Sequence, residues 1–226
     1  MILVTGDTHG TIDFNKIKLL EQKKILRKED FLIIAGDFGG VWSLKTLEED
    51  LSCYARLPFK VLFVDGNHEN FDILNSFSVQ YWNGGKIHKI KDNIFHLMRG
   101  QVYEIEGKII FTFGGGTSID KYYRVENISW WKEEIPNENE VNEAITNLKK
   151  YNNKVDYIIT HSIDSAALDC PVIYFRGNKC QKFKDNEILD YFERNVEYKH
   201  WYFGHYHVDG EINNKKTAVY NCFHKL

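Results

Sequence analysis

Asp7 and His9 stand two residues apart in Gly6-Asp7-Thr8-His9-Gly10. On locally extended backbone that spacing turns both side chains the same way. A carboxylate and an imidazole on one side of a strand end can begin a divalent-metal site. Further residues of this kind follow: Asp37 in Gly36-Asp37-Phe38-Gly39-Gly40, Asn67 and His68 in Asp65-Gly66-Asn67-His68-Glu69, His161, and His205 and His207 in Gly204-His205-Tyr206-His207. Carboxylate, amide oxygen and imidazole together suit two borderline-hard ions such as Mn²⁺, Fe²⁺, Zn²⁺ or Ni²⁺. No thiolate lies near, which argues against structural zinc. A carboxylate such as Asp37 can bridge two ions, and a pair roughly 3.5–4 Å apart is a standard device for phosphoester hydrolysis by a bridging hydroxide. Taken singly, each residue reads equally as a polar turn residue facing water. Their repetition after successive strands favours chemistry.

The elements that must position them are readable from hydrophobic runs. Ile2-Leu3-Val4, Phe31-Leu32-Ile33-Ile34-Ala35 and Val61-Leu62-Phe63-Val64 are short, apolar and stopped by glycine or a polar residue, the signature of strands buried on both faces. Between them, residues 12–26 and 44–57 suit helices, the second closed by Pro58. Strand, helix, strand, helix, strand predicts parallel pairing with right-handed crossovers. Asp7, Asp37 and Asn67 then arrive at one sheet edge, where open α/β sheets place ligands. Residues 155–160 and 200–203 predict two more strands, leading into His161 and His205, with helices over 139–151 and 185–195 and a hairpin over 210–220.

From Val79 the pattern changes. Short runs at 86–90, 94–97, 102–105 and 109–113, separated by turn residues, predict an antiparallel meander. Residues 114–139 are too irregular for a regular element and too aromatic for a disordered linker, so they are expected to form an ordered cap-like insertion within one domain spanning 1–226. The aromatics between Tyr81 and Trp131 suggest an aromatic-lined surface there.

A chain of 226 residues with 43% hydrophobic and 27% charged residues is ordinary for a globular protein with a sizeable core. The formal net charge of −3 gives no broad electrostatic footprint for nucleic acid or anionic membrane. The four cysteines show no CxxC spacing, and no apolar run approaches the roughly 18 residues of a membrane span, so a cytoplasmic setting without membrane contact is expected.

As an ordered set, the motifs resemble those of the calcineurin-like metallophosphoesterases, whose series reads DxH, GDxx, GNH(D/E), a histidine after a strand, and GHxH. Here they are Asp7-Thr8-His9, Gly36-Asp37, Gly66-Asn67-His68-Glu69, His161 in Ile159-Thr160-His161, and Gly204-His205-Tyr206-His207, spanning nearly the whole chain. The resemblance implies an α/β fold of the α+β type, a four-layer β-sandwich of mixed parallel and antiparallel sheets flanked by helices. It implies two divalent ions per chain, Mn²⁺ foremost. Asp7, His9, Asp37 and His207 would hold one ion, and Asp37, Asn67, His161 and His205 the other. It also implies that His68, not a ligand, contacts the phosphate together with Asn67 and protonates the leaving oxygen.

Protein phosphatases of this kind carry GDxxDRG, whereas Gly36-Asp37-Phe38-Gly39-Gly40-Val41 lacks the second Asp and the Arg. The segment from Gly114 through Arg124 to Ser129-Trp130-Trp131 looks like a version common among small bacterial and phage-borne members. There Arg124 could bind a phosphate and Trp130 or Trp131 could stack on a base; equally, Asp120 and Arg124 could pair with each other while the tryptophans pack the cap. The expected function is hydrolysis of a small, nucleotide-like phosphodiester. A protein phosphatase, a DNA or RNA nuclease, and a binding scaffold without turnover are the alternatives, and the oligomeric state is open.

Overall fold

The apolar runs become the inner strands of two stacked sheets. The computed structural model describes residues 1–226. The chain runs β1 (Ile2–Thr5), α1 (Phe14–Gln22), β2 (Phe31–Ala35), α2 (Leu47–Ala55), β3 (Lys60–Val64), α3 (Phe71–Leu74), β4 (Val79–Trp82), β5 (Gly85–Lys91), β6 (Ile94–Leu97), β7 (Gln101–Ile105) and β8 (Lys108–Phe113). It continues through α4 (Glu138–Lys150), β9 (Tyr157–Thr160), α5 (Lys184–Asn195), β10 (His200–Phe203), β11 (Gly210–Asn213), β12 (Lys216–Ala218) and β13 (His224–Lys225). One sheet has the order β13-β1-β2-β3-β6-β5-β4 and the other β11-β12-β10-β9-β8-β7.

In the first sheet β1, β2 and β3 pair in parallel, Thr5 opposite Ile34 and Ala35 opposite Val64, so their carboxyl ends lie level. In the second, Phe113, Thr160 and Phe203 stand side by side at the ends of parallel β8, β9 and β10.

Period-two alternation decides which layer each strand residue enters. Ile2, Val4, Ile33, Leu62 and Val64 meet Ile110, Ile159 and Tyr202 between the sheets. Leu32, Ile34, Val61 and Phe63 face outward, under Ile17 and Leu20 of α1 and Leu51 and Tyr54 of α2. Phe111, Ile158, Trp201 and Phe203 pack under Ala144 and Leu148 of α4 and Leu189 and Phe192 of α5. The result is the helix–sheet–sheet–helix sandwich that the resemblance implies. Truncating a fully buried member such as Leu32 to Ala would cost about 2–5 kcal/mol. Asn137 caps α4 by accepting from the backbone N–H of Asn139 and Glu140 at 2.9 and 3.1 Å, while Glu140 accepts from the Asn137 N–H at 2.7 Å; such a box contributes about 1 kcal/mol.

The expected meander is instead divided between the sheets. β4, β5 and β6 pair antiparallel, β6 then joins β3 in parallel, and β7 and β8 belong to the second sheet. The chain crosses over at Met98-Arg99-Gly100, where Gly100 has φ of 72° and no space for a Cβ against Ala144. The aromatics of this region are mainly core: Phe95, Tyr103, Phe111, Phe113 and Trp131 are buried, and Tyr81, Tyr122 and Tyr123 are exposed.

Residues 114–139 form a compact cap with short 3₁₀ turns at Lys121–Tyr123 and Lys132–Glu134. The buried Glu134 carboxylate ties it together, accepting from Ser118 N–H at 3.1 Å and Ser118 Oγ at 2.7 Å, and pairing with Lys121 at 2.5 Å. Trp131 anchors it to α3 by donating Nε1–H to Asp72 Oδ2 at 2.8 Å. No helix is long and apolar enough to cross a membrane.

Candidate metal centre

Every predicted ligand sits immediately beyond a strand's carboxyl end, and the stacking of the sheets brings the two edges together. Hydrogen bonds cross between them inside the centre. His161 Nδ1 meets Ala35 O at 3.0 Å, and the His205 backbone N–H donates to both oxygens of Asp7 at 3.0 and 3.1 Å.

The backbone at these turns is unusual for non-glycine residues. Asp7, His9, Asp37, His205 and His207 have φ of 34°, 45°, 46°, 71° and 52°. Left-handed conformations of this sort cost of order 1–3 kcal/mol each and persist where surroundings over-determine them. Here Thr8 and His9 donate their backbone N–H to Asp37 O at 3.0 and 2.8 Å, and Gly10 to Phe38 O at 2.7 Å. Glu69 Oε1 accepts from Phe38 N–H at 2.8 Å, and the Asn70 side chain from Ile73 N–H at 3.1 Å, fixing the start of α3. Gly66 has no room for a side chain, because a Cβ would strike the Asp37 carboxylate.

Two groups of donors result, sharing Asp37. In the first, ligand atoms of Asp7, His9, Asp37 and His207 all lie within 4.8 Å of one another. His9 Nδ1 is 3.0 Å from Asp13 Oδ2, which directs Nε2 inward, 3.4 Å from Asp37 Oδ2. His207 Nε2 is 3.8 Å from Asp7 Oδ1, its ring stacked on Tyr220. In the second, His161 Nε2 faces Asn67 Oδ1 at 3.0 Å, His205 Nδ1 at 3.2 Å and Asp37 Oδ1 at 3.4 Å. Asn67 Nδ2 donates to Ser118 Oγ at 3.0 Å, so its oxygen is the atom turned toward His161.

With His161 Nδ1–H directed to Ala35 O, the second group is a convergence of acceptors. It is stable only with positive charge among them, carried by a proton or a cation. The electrostatics agree. Asp7 and Asp37 are almost entirely buried. Burial pushes the Asp7 carboxyl up to about 7. Burial acts the same way on Asp37, but the His161 and His9 rings outweigh it and hold that carboxyl well below the usual range. His161 is opposed by burial and nevertheless raised to about 10 by Asp37 and Asp7. His205 and His207 are lowered to about 3 and about 4 by burial and neighbouring imidazoles, so they are neutral with lone pairs free. Imidazoles, an amide oxygen and buried carboxylates are what divalent ions require of a protein, and the donor set fits them, with the cation taking the place of the proton on His161.

His68 stands beside both groups, its backbone N–H donating to Asp37 Oδ1 at 2.8 Å. Arg124 comes from the cap to lie against its ring and also pairs with Asp120, Nη2 to Oδ2 at 2.7 Å. Of the two alternatives for Arg124, the pair with Asp120 is present, and the same guanidinium contacts His68. Trp130 is half-buried under the Lys121 ammonium, 5.0 Å from its ring centre, and is not among the side chains lining the cleft. Trp131 is buried in the cap's base.

Sequence reasoning overlooked the supports behind the centre. Lys16 of α1 donates from Nζ to Gly6 O, Asp7 O and Tyr220 O at 2.5, 2.9 and 2.5 Å. Arg99 grips Asp65 through Nε and Nη2 at 2.8 and 2.5 Å and reaches Glu133 O in the cap at 2.7 Å. His96 Nε2 lies 3.1 Å from Asp65 Oδ1, and His88 Nδ1 3.1 Å from His96 Nδ1. The one available signal was Asp65 itself, a carboxylate closing an apolar strand.

No curated protein matches the chain. Among solved structures, a protein of unknown function from Aquifex aeolicus is similar at 18% identity with a TM-score of 0.40, covering 88% of this chain and 87% of that one. The sulfate thiohydrolase SoxB of Thermus thermophilus, solved with glycerol, is similar at 13% identity with a TM-score of 0.44. That match covers 92% of this chain and 36% of the longer SoxB chain. The calcineurin-like phosphoesterase family matches residues 1–209, a stretch that contains every strand-end ligand described above. The chain belongs to the calcineurin-like phosphoesterase family.

Proposed function

We propose that the protein is a metal-dependent phosphodiesterase acting on small, nucleotide-like phosphoesters in the cytoplasm, from a centre of two divalent ions. The observation that supports this best is the shared carboxylate, with Asp37 Oδ2 toward His9 and Oδ1 toward His161, each at 3.4 Å. In this reading Asp7, His9, Asp37 and His207 hold one ion, and Asp37, Asn67, His161 and His205 hold the other. Mn²⁺ suits the mixture of carboxylate, amide and imidazole, and Fe²⁺, Zn²⁺ or Ni²⁺ are accepted by the same donors. When bound, such ions polarise phosphoryl oxygens and acidify a water for attack on phosphorus.

The remaining work falls to the chain's own groups. His68 is lowered by burial, with Arg124 and His9 adding to the effect and Asp37 opposing it. As a neutral ring held by the Asp37 turn, it donates a hydrogen bond to the leaving oxygen, and only its protonated form would pass a proton there. Arg124 presents a guanidinium for a phosphoryl oxygen. The cleft reaching away from the centre leaves space for both substituents of a diester.

The test is hydrolysis of bis-p-nitrophenyl phosphate and p-nitrophenyl phosphate by metal-stripped protein with Mn²⁺, Ni²⁺ or Zn²⁺ restored. Diester turnover that needs metal and falls sharply in Asp37→Asn and His68→Ala is expected. Turnover of the monoester alone would overturn the diester assignment. No turnover from protein holding two ions would overturn the enzymatic reading.

A further inference from the structure

The cleft that opens beside the metal centre has a volume of 1120 Å³ and does not end at the cap. Pockets for a single drug-sized ligand run roughly 300–1,000 Å³, so this one exceeds what a mononucleotide fills. Asn67, His68 and His205 line it at the centre, Tyr122 lines it from the cap, and the segment from Ile173 to Asn186 supplies a further wall.

That far wall is ordered by its own hydrogen bonds. Phe175 and Asn178 exchange backbone N–H···O bonds, both 2.9 Å. Between them Arg176 and Gly177 have φ of 50° and 78°, the two positive values of a type I′ turn. The turn holds Phe175 at the cleft with 60% of its surface exposed, the Arg176 guanidinium over its ring at 5.2 Å. Tyr122, which lines the same cleft, is 96% exposed. Of the cations in this segment Lys179 pairs with Asp169 and Lys182 and Lys184 with Glu187, while Arg176 lines the cleft without a carboxylate partner. Asn178 and Gln181 add amide groups to the same wall.

Rings open to solvent beside cations and amides are what an unstacked base with its phosphate requires. We infer that the far lobe is a second nucleotide subsite. The scissile phosphate sits at the metal centre, and the next base stacks on Phe175 with its phosphate near Arg176. The preferred substrate is thus an extended, base-bearing phosphodiester of at least dinucleotide length. This rests on the phosphodiesterase reading and adds the substrate's length and direction to it.

The experiment is calorimetric titration of the full chain, with Mn²⁺ added, using a phosphorothioate-linked thymidine dinucleotide and thymidine monophosphate. Since stacking on an aromatic ring is worth about 1–3 kcal/mol per base, the dinucleotide is expected to bind roughly tenfold tighter or more. Phe175→Ala is expected to remove that advantage and leave monophosphate binding within about twofold, with Phe175→Tyr restoring it. Equal affinity for the two ligands, or equal loss of both in Phe175→Ala, would overturn the inference. So would tighter binding of a phosphoserine peptide, which would make the lobe a peptide site. Bis-p-nitrophenyl phosphate is too short to reach Phe175, so its turnover reports separately on the phosphodiesterase reading: if it fails while the dinucleotide preference stands, only that reading falls.

Discussion

The Arg124 guanidinium meets the His68 imidazole at both ring nitrogens, Nη1 3.2 Å from Nδ1 and Nη2 3.2 Å from Nε2. Arg124 is held there by Asp120 and by the Ser129 carbonyl at 3.1 Å, so a phosphoryl oxygen would take over the N–H groups now turned to His68. The cap thus bears on the chemistry through this side chain as well as through Ser118, which orients Asn67.

Replacing Arg124 by Ala is expected to lower kcat/KM for bis-p-nitrophenyl phosphate by about tenfold to a hundredfold, the worth of a charged hydrogen bond. Lys restores the charge but not the plane and is expected to recover little of it. Because the Asp120 pair is partly exposed, chemical denaturation is expected to show a loss below about 1 kcal/mol. Wild-type kinetics in Arg124→Ala would show that the guanidinium only fastens the cap.

Lys16 is nearly buried, and its ammonium is spent entirely on backbone carbonyls beneath Asp7 and at Tyr220, whose ring stacks on His207. Lys16→Met keeps the length and strands those carbonyls. We expect a loss of about 3 kcal/mol or more in urea unfolding, from buried acceptors left without donors. A loss below about 1 kcal/mol would mean that water replaces the ammonium at no great cost.

His88 gives the stability a dependence on pH. It is 3% exposed, and burial together with His96 lowers it from 6.5 to about 4. A histidine depressed in the folded state contributes stability that is fully present above its unfolded pKa. That contribution is lost as pH falls through the window from 6.5 to about 4, where the unfolded chain binds the extra proton. The expected loss is on the order of 3 kcal/mol over that window. Unfolding free energies measured across it should fall more steeply for wild type than for His88→Gln. Parallel curves would remove His88 as the cause.

Much of this could be read from the residues alone, for a physical reason. Strands β1, β2, β3, β9 and β10 are buried, so their sequences are nearly pure apolar runs, and each run stops where a ligand begins. Those runs give both the fold and the metal-ligand positions. Edge strands carry no such signal: β4 is exposed along Val79–Tyr81 and β13 has two residues, and both were missed. The division of the meander between sheets was illegible because alternation tells which face is buried, not which sheet claims the strand. Lys16, His88, His96 and Arg99 escaped because their partners lie far along the chain and no spacing announces them. The Phe175–Asn178 turn was hidden for the opposite reason, being local geometry in a stretch without periodicity.

The central claim is a pair of ions sharing Asp37, and counting ions tests it most directly. Metal-stripped protein would be titrated with Mn²⁺ and examined by native mass spectrometry, alongside His205→Ala and Asp37→Asn. The account predicts saturation at two ions per chain in wild type, one in His205→Ala, and weakened binding of both in Asp37→Asn. Saturation at a single ion in wild type, unchanged in His205→Ala, would contradict it.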